Sequence, residues 1–207
     1  MRRFPNPEIK EFQAFKKLDS PGKVQDFLNR MPQNFDASRR TCRSPLMVLK
    51  RNKAHCVEGA MLAAAIFWYH REKPLILDLR TTKRDDDHVV ALFKRNGRWG
   101  AVSKTNHAVL RYRDPVYKSI RELVMSYFNE YFLDDGVKTL REYSVPFDLQ
   151  RYGEDWLTAK KDLWDVPADL DRSRHFKVLS ARDARDLRLA EPIEIKAGKI
   201  VEWMKGK

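Results

Sequence analysis

Residues 54–70, AHCVEGAMLAAAIFWYH, put apolar side chains on every side of a helix, in a chain that is otherwise basic and polar. A helix that is apolar all round is stable only when buried on all sides, so the fold has to be built about it. The stretch is too short to span a bilayer and ends against Arg71, Glu72 and Lys73, which marks a core helix. Cys56 falls in its first turn. There a thiol meets backbone N–H groups without intrahelical partners and the positive end of the helix dipole, and both favour the thiolate. A free cysteine in a packed helix can equally serve as a small apolar side chain. What argues for chemistry is the strand pattern downstream, which opens with His88.

At 207 residues the chain is long enough for one domain with a substantial core. The expected organisation is a domain over residues 1–150, with its core at about 45–110 and helices before and after, and a C-terminal extension or small subdomain over 151–207 packed on it. Lys and Arg number 41 against 29 Asp and Glu, a formal charge of +12. That balance suits an acidic partner, but the charges are scattered rather than massed on one helix or tail, so a nucleic-acid ligand is not expected. Two cysteines, Cys42 and Cys56, are too few for a disulfide framework, and no apolar run follows Met1. A cytoplasmic protein without membrane attachment is therefore expected. Cys42, His55, Cys56 and His88 include no CxxC or HxxxH pair, so neither a metal site nor a cofactor is expected.

Along the chain, residues 8–18 place Ile9, Phe12 and Phe15 at helical spacing, and Ser20-Pro21 opens a second short helix. Residues 32–53 mix turn residues with an apolar patch at 46–49. After the central helix, Pro74 introduces a buried strand, LILDL, in which Asp78 alternates with three leucines and so should face away from the helix. Asp114-Pro115 reads as the start of a helix carrying Ile120, Leu123, Val124, Tyr127, Phe128, Tyr131 and Phe132 as a core stripe. Further on, residues 156–164 suggest a short helix, 165–174 a loop, 176–179 a strand, and 193–203 a second hairpin about Ala197-Gly198.

The sharpest local signal is HVVALFKRNGRWGAVSKT, residues 88–105. Its two strand-like runs flank Asn96-Gly97, the dipeptide that a two-residue type I′ turn prefers. With that turn fixed, Arg95 faces Arg98, Val90 faces Ser103 and His88 faces Thr105. Alternation puts His88, Val90, Leu92, Ala101, Ser103 and Thr105 on one face, with Lys104 and Asn106 on the other. A group that holds the His88 imidazole should then come from Ser103 or Thr105, unless a bulge shifts the count.

A cysteine nucleophile needs a base, a group to orient the base, and donors for the developing oxyanion. Cys56, His88 and Ser103 fill the first three places. Asn52, just ahead of the helix, is a candidate oxyanion donor, His55 either tunes the thiol or caps the helix, and Asn106 and His107 follow the hairpin as cleft candidates. This set resembles the transglutaminase-like superfamily of papain-fold thiol enzymes, whose Cys, His and Asp occur in that chain order. AHCVEGAMLAAAIFWYH is similar to its cysteine helix, DDDHVVALF to its histidine strand, and GRWGAVSKT to the strand in which tryptophan precedes the aspartate, together covering residues 45–110. The resemblance implies an α+β fold with a central buried helix packed on an antiparallel sheet and flanking helices. It also puts an aspartate where this chain has Ser103, which can accept a hydrogen bond but cannot stabilise an imidazolium by charge. Asp87 is on the other face in this register. Three outcomes stay open: a dyad with a weak orienting partner, Asn106 in place of Ser103, or lost catalysis.

The function that follows is thiol-dependent acyl transfer at an amide or ester bond, as a peptidase, amidase or transglutaminase-like enzyme. The substrate would be a peptide or protein, with acidic character matching the basic surface. The alternative is a catalytically degenerate fold that binds a peptide or protein.

Overall fold

The computed structural model describes residues 3–36 and 41–204. It is an α+β structure with one antiparallel sheet. The helices are α1 (Pro21–Asn29), α2 (Pro45–Arg51), α3 (Cys56–Tyr69), α4 (Ile120–Met125), α5 (Asp165–Arg172), α6 (Ala181–Arg185) and α7 (Pro192–Gly198). The strands are β1 (Leu75–Arg80), β2 (His88–Arg95), β3 (Arg98–Ser103), β4 (Arg113–Tyr117), β5 (Glu142–Ser144), β6 (Phe147–Asp148) and β7 (His175–Lys177). They lie in the order β4-β3-β2-β1-β5-β7, with β6 also paired to β1. Among the described residues, no helix is long and apolar enough to cross a membrane.

Helix α3 is the central element that its composition demands, and every side chain from 58 to 68 is buried. Ser20 and Ser44 cap α1 and α2, each followed by proline at the first helical position. Phe12, Phe15, Val24, Leu28 and Val48 pack with α3 in one cluster, to which the sheet contributes Ile76, Val89, Ala91, Phe93 and Val102. On the opposite sheet face Leu77, Leu79, Val90, Leu92 and Ala101 pack with Leu123, Val124 and Tyr127. The sheet is thus buried on both sides.

The hairpin forms in the expected register, with Arg95 opposite Arg98 and Val90 opposite Ser103. Asn96 and Gly97 both take positive φ, 50° and 75°, as a type I′ turn requires. The ladder stops at Ser103, so Thr105 does not face His88 across it. Asp78 differs from expectation. Leu77 and Leu79 turn to the α4 cluster while Ile76, of the same parity as Asp78, packs with α3, so Asp78 lies on the α3 side. Both faces of the sheet are covered, so the leucines do not mark the face toward the longest helix.

Three other segments fold differently from their sequence pattern. Asp114-Pro115 lies in β4, an edge strand paired only with β3, where a missing N–H is tolerated. The helix begins later, at Ser119, whose hydroxyl accepts from Glu122 N–H, and it is short; Phe128–Glu130 follow as a 3-10 turn. Residues expected as loop form α5, whereas the preceding segment holds only the 3-10 turn Asp155–Leu157. The expected C-terminal hairpin is α7, opened by Glu191 and Glu194 in a reciprocal cap with Pro192 between them.

Residues after 150 are tied to the rest. Trp156 stacks on Trp68 with ring centroids 6.1 Å apart, β7 pairs with β5, and Leu163 N–H donates to Cys42 O at 2.7 Å.

Candidate active site

Cys56 begins α3 and His88 begins β2, so each stands at the end of its element, and both open into a cleft of about 1150 Å3. The imidazoles of His55 and His88 both act on the Cys56 sulfur in the direction that favours the thiolate. His88 is buried, and its Nε2 lies 2.7 Å from Ser103 Oγ. The Ser103 hydroxyl donates its own hydrogen to Leu110 O, which leaves Oγ as the acceptor of the His88 Nε2–H. A neutral His88 therefore has its Nδ1 lone pair free for the sulfur. Neighbouring Gln25 locks the Ser103 backbone from both sides: its Oε1 accepts from Ser103 N at 2.9 Å and its Nε2 donates to Ser103 O at 2.8 Å.

His55 precedes the helix as its N-cap. Its Nε2 lies 2.6 Å from Thr41 O and 3.7 Å from Glu58 Oε2. Both neighbours are acceptors, so Nε2 carries a proton and Nδ1 is left for the sulfur. Electrostatics follow from this arrangement. Burial alone would push the Cys56 thiol up, but the hydrogen bonds and charges of His55 and His88 outweigh it and bring the thiol down to about 5. Burial likewise disfavours a charged His55, yet the bond and charge of Cys56, then Glu58 and the Thr41 carbonyl, raise it to about 9.

The other expected site residues lie as follows. Asn106 lines the cleft, but its Nδ2 donates to Trp203 O and its Oδ1 accepts from Trp203 N–H, so it anchors the C-terminal segment and leaves His88 to Ser103. His107 does similar work, with Nδ1 2.9 Å from Gly198 O. Asn52 is exposed and takes φ 50° as the left-handed C-cap of α2; it does not line the cleft. No protein-family model and no characterised protein matches the chain.

Three cleft or near-cleft residues were not singled out from sequence. Gln33 is bridged in parallel to Ala54, which holds it beside the start of α3, and its Oε1 is buried without a partner among the described residues. Glu58 is wholly buried and binds Asn34 and Thr41. Lys104 is wholly buried too, its ammonium donating to Met31 O at 2.6 Å, and burial lowers it to about 8. Only Glu58 had a local signature, three residues after the cap, where a reciprocal capping carboxylate belongs.

Neither metal arrangement is persuasive on its chemistry. Among the described residues Cys42, His55, Cys56 and His88 do not come together as a ligand set, and burial pushes the Cys42 thiol up to about 12, away from a ligating thiolate. Asp78, Asp87 and Asp171 approach one another, but Arg80 lies 3.9 Å from Asp78 and 3.4 Å from Asp171, and His175 binds Asp78.

Proposed function

We propose that the protein is a thiol-dependent acyl-transfer enzyme of transglutaminase-like type, acting on an amide or ester carbonyl of a peptide or protein. The observation that carries this reading is the grouping Cys56–His88–Ser103: His88 acts on the sulfur to favour the thiolate, and its Nε2 is held 2.7 Å from a fixed hydroxyl. That is the nucleophile, base and orienting group of covalent catalysis.

The thiol proton passes to Nδ1 of His88, and the thiolate attacks the carbonyl carbon. Cys56 N–H, without a partner among the described residues at the helix start, and the amide of Gln33 are the donors suited to the oxyanion. Collapse of the intermediate breaks the bond to the leaving group, which takes the proton from His88 and leaves a thioester on Cys56. Water or an amine then attacks the thioester, His88 accepts its proton, and the sulfur is released with the acid or the new amide formed.

A second reading, a binding module, draws on Ser103 standing where charge would be expected. An activated-ester acyl probe separates the two. The enzyme reading expects rapid, stoichiometric labelling of Cys56, lost in Cys56→Ala, and release of the acyl group to water or an added amine. Labelling no faster than that of a thiol in unfolded chain rules it out, and Cys56→Ala with unchanged peptide binding would then favour the binding module.

A further inference from the structure

Glu58 is a buried ionisable group that this scheme leaves without a task. It sits in the first turn of α3, two residues after the nucleophile, with no exposed surface. Four donors converge on it: Thr41 Oγ1 at 2.7 Å and Arg43 N at 3.1 Å on Oε1, and Asn34 Nδ2 at 3.0 Å and His55 N at 3.2 Å on Oε2. The Thr41 hydroxyl is itself committed, since it accepts from Asn34 Nδ2 at 2.9 Å. Among the described residues, all four of these partners approach Glu58 as donors. Among the described residues the group that pairs with it is the His55 ring, 3.7 Å away, which also acts on the Cys56 sulfur.

We propose that Cys56 is served by two imidazoles with separate tasks: His55, held against buried Glu58, is a standing cation that donates to the sulfur, while His88 carries the proton of the reaction. Glu58 is a positioning residue in this scheme, acting through His55. The inference rests on Cys56 being the nucleophile, and it answers the absence of charge at Ser103. The negative partner that an imidazolium needs is supplied from the helix side and to the other ring. Proton balance is kept: His55 and Glu58 form a neutral pair that holds its proton throughout, and the single mobile proton is shared between Cys56 and Nδ1 of His88. His55 is half-buried and Glu58 inaccessible, so the pair is shielded from solvent screening. The other ionisable groups facing the sulfur do not compete for this role. Tyr131 is held well above its ordinary range by burial and then by the nearby negative charges of Cys56 and Asp85, and the Cys42 thiol is held up by burial.

The test is the pH dependence of Cys56 alkylation by iodoacetamide, with thiolate absorbance followed in parallel. Wild type should show a lower limb near pH 5, with the full rate through neutrality. Glu58→Gln should raise that limb by about two units, an approximately tenfold loss of rate at pH 6, with the rate above pH 9 within about twofold of wild type. His55→Gln, at the half-buried cap, should do the same and carries the test if Glu58→Gln does not fold. His88→Ala should keep a depressed thiol and lose acyl turnover. If His88→Ala moves the limb while Glu58→Gln or His55→Gln does not, the proposal is overturned. If wild type shows the depressed limb and both shifts but turns over no acyl substrate, the enzyme reading fails while the assignment of His55 and Glu58 stands.

Discussion

At Ser103 a single hydroxyl decides how His88 is presented. Its hydrogen is spent on Leu110 O, so its oxygen can only accept, and that fixes which ring nitrogen faces Cys56. Ser103→Ala should therefore lower acyl turnover by about tenfold to a hundredfold, the range of a general-base contribution, with little change in iodoacetamide alkylation at pH 7, where His55 still faces the thiolate. Single-turnover kinetics beside alkylation rates checks the split. One turn further along α3, Gly59 is required by close approach: a Cβ there would meet Lys104 Cβ at 2.4 Å and Cγ at 2.9 Å. These atoms lie at the root of the side chain, so the strand end itself would have to shift. Gly59→Ala should destabilise the fold by about 1–3 kcal/mol in urea titration, as overpacking does, despite the better helix propensity of alanine. The pH profile belongs to the residues too. A thiol at about 5 and His55 at about 9 place the thiolate–imidazolium pair between those limits. Activity should be bell-shaped in kcat/KM, falling below about pH 5 as the thiolate is protonated and above about pH 9 as His55 loses its proton.

Among the elements, β1 and β7 are joined by a buried pair. His175 Nε2 lies 3.1 Å from Asp78 Oδ2, and both side chains are almost wholly inaccessible. Burial raises Asp78, while His175 and Arg80 oppose that rise. Removing one partner leaves a carboxylate inside, so His175→Ala should cost about 3 kcal/mol by chemical denaturation, read as a lower urea midpoint. How legible each element was depends on how local its cause is. The Asn96-Gly97 hairpin could be read because its turn needs two residues at positive φ and the sequence offers the dipeptide that accepts them. The central helix could be read because its composition allows no exposed side. The segment after residue 113 could not: a proline that would suit a helix start is equally suited to an edge strand, and only the pairing of β4 with β3 decides which. The same holds for the C-terminal segment, where the Ala197-Gly198 turn signal closes α7 and strand-like residues beyond it make only an isolated bridge, Val201 to His107.

The whole molecule carries +12, yet the described residues that line the cleft do not share that sign. Asp85, Asp86 and Asp87 line it immediately before His88, and among the described residues none of the three makes an ion pair. A cleft of this sign attracts cationic segments and repels acidic ones, the reverse of what the overall charge suggests. Fluorogenic peptides with Lys or Arg beside the scissile bond should give kcat/KM about tenfold above Asp- or Glu-flanked analogues, a ratio that narrows with added salt. By itself the sequence determined a buried helix with a thiol at its start and a hairpin whose register puts Ser103 on the His88 face, because both are dictated by neighbouring residues in the chain. The tertiary structure decided what surrounds the sulfur. It brought His88 on β2 into the surroundings of Cys56 on α3, closed Thr41 and Asn34 over Glu58, and turned Asn106 to the C-terminal segment. Those contacts join residues far apart in the chain, and no local pattern encodes their meeting.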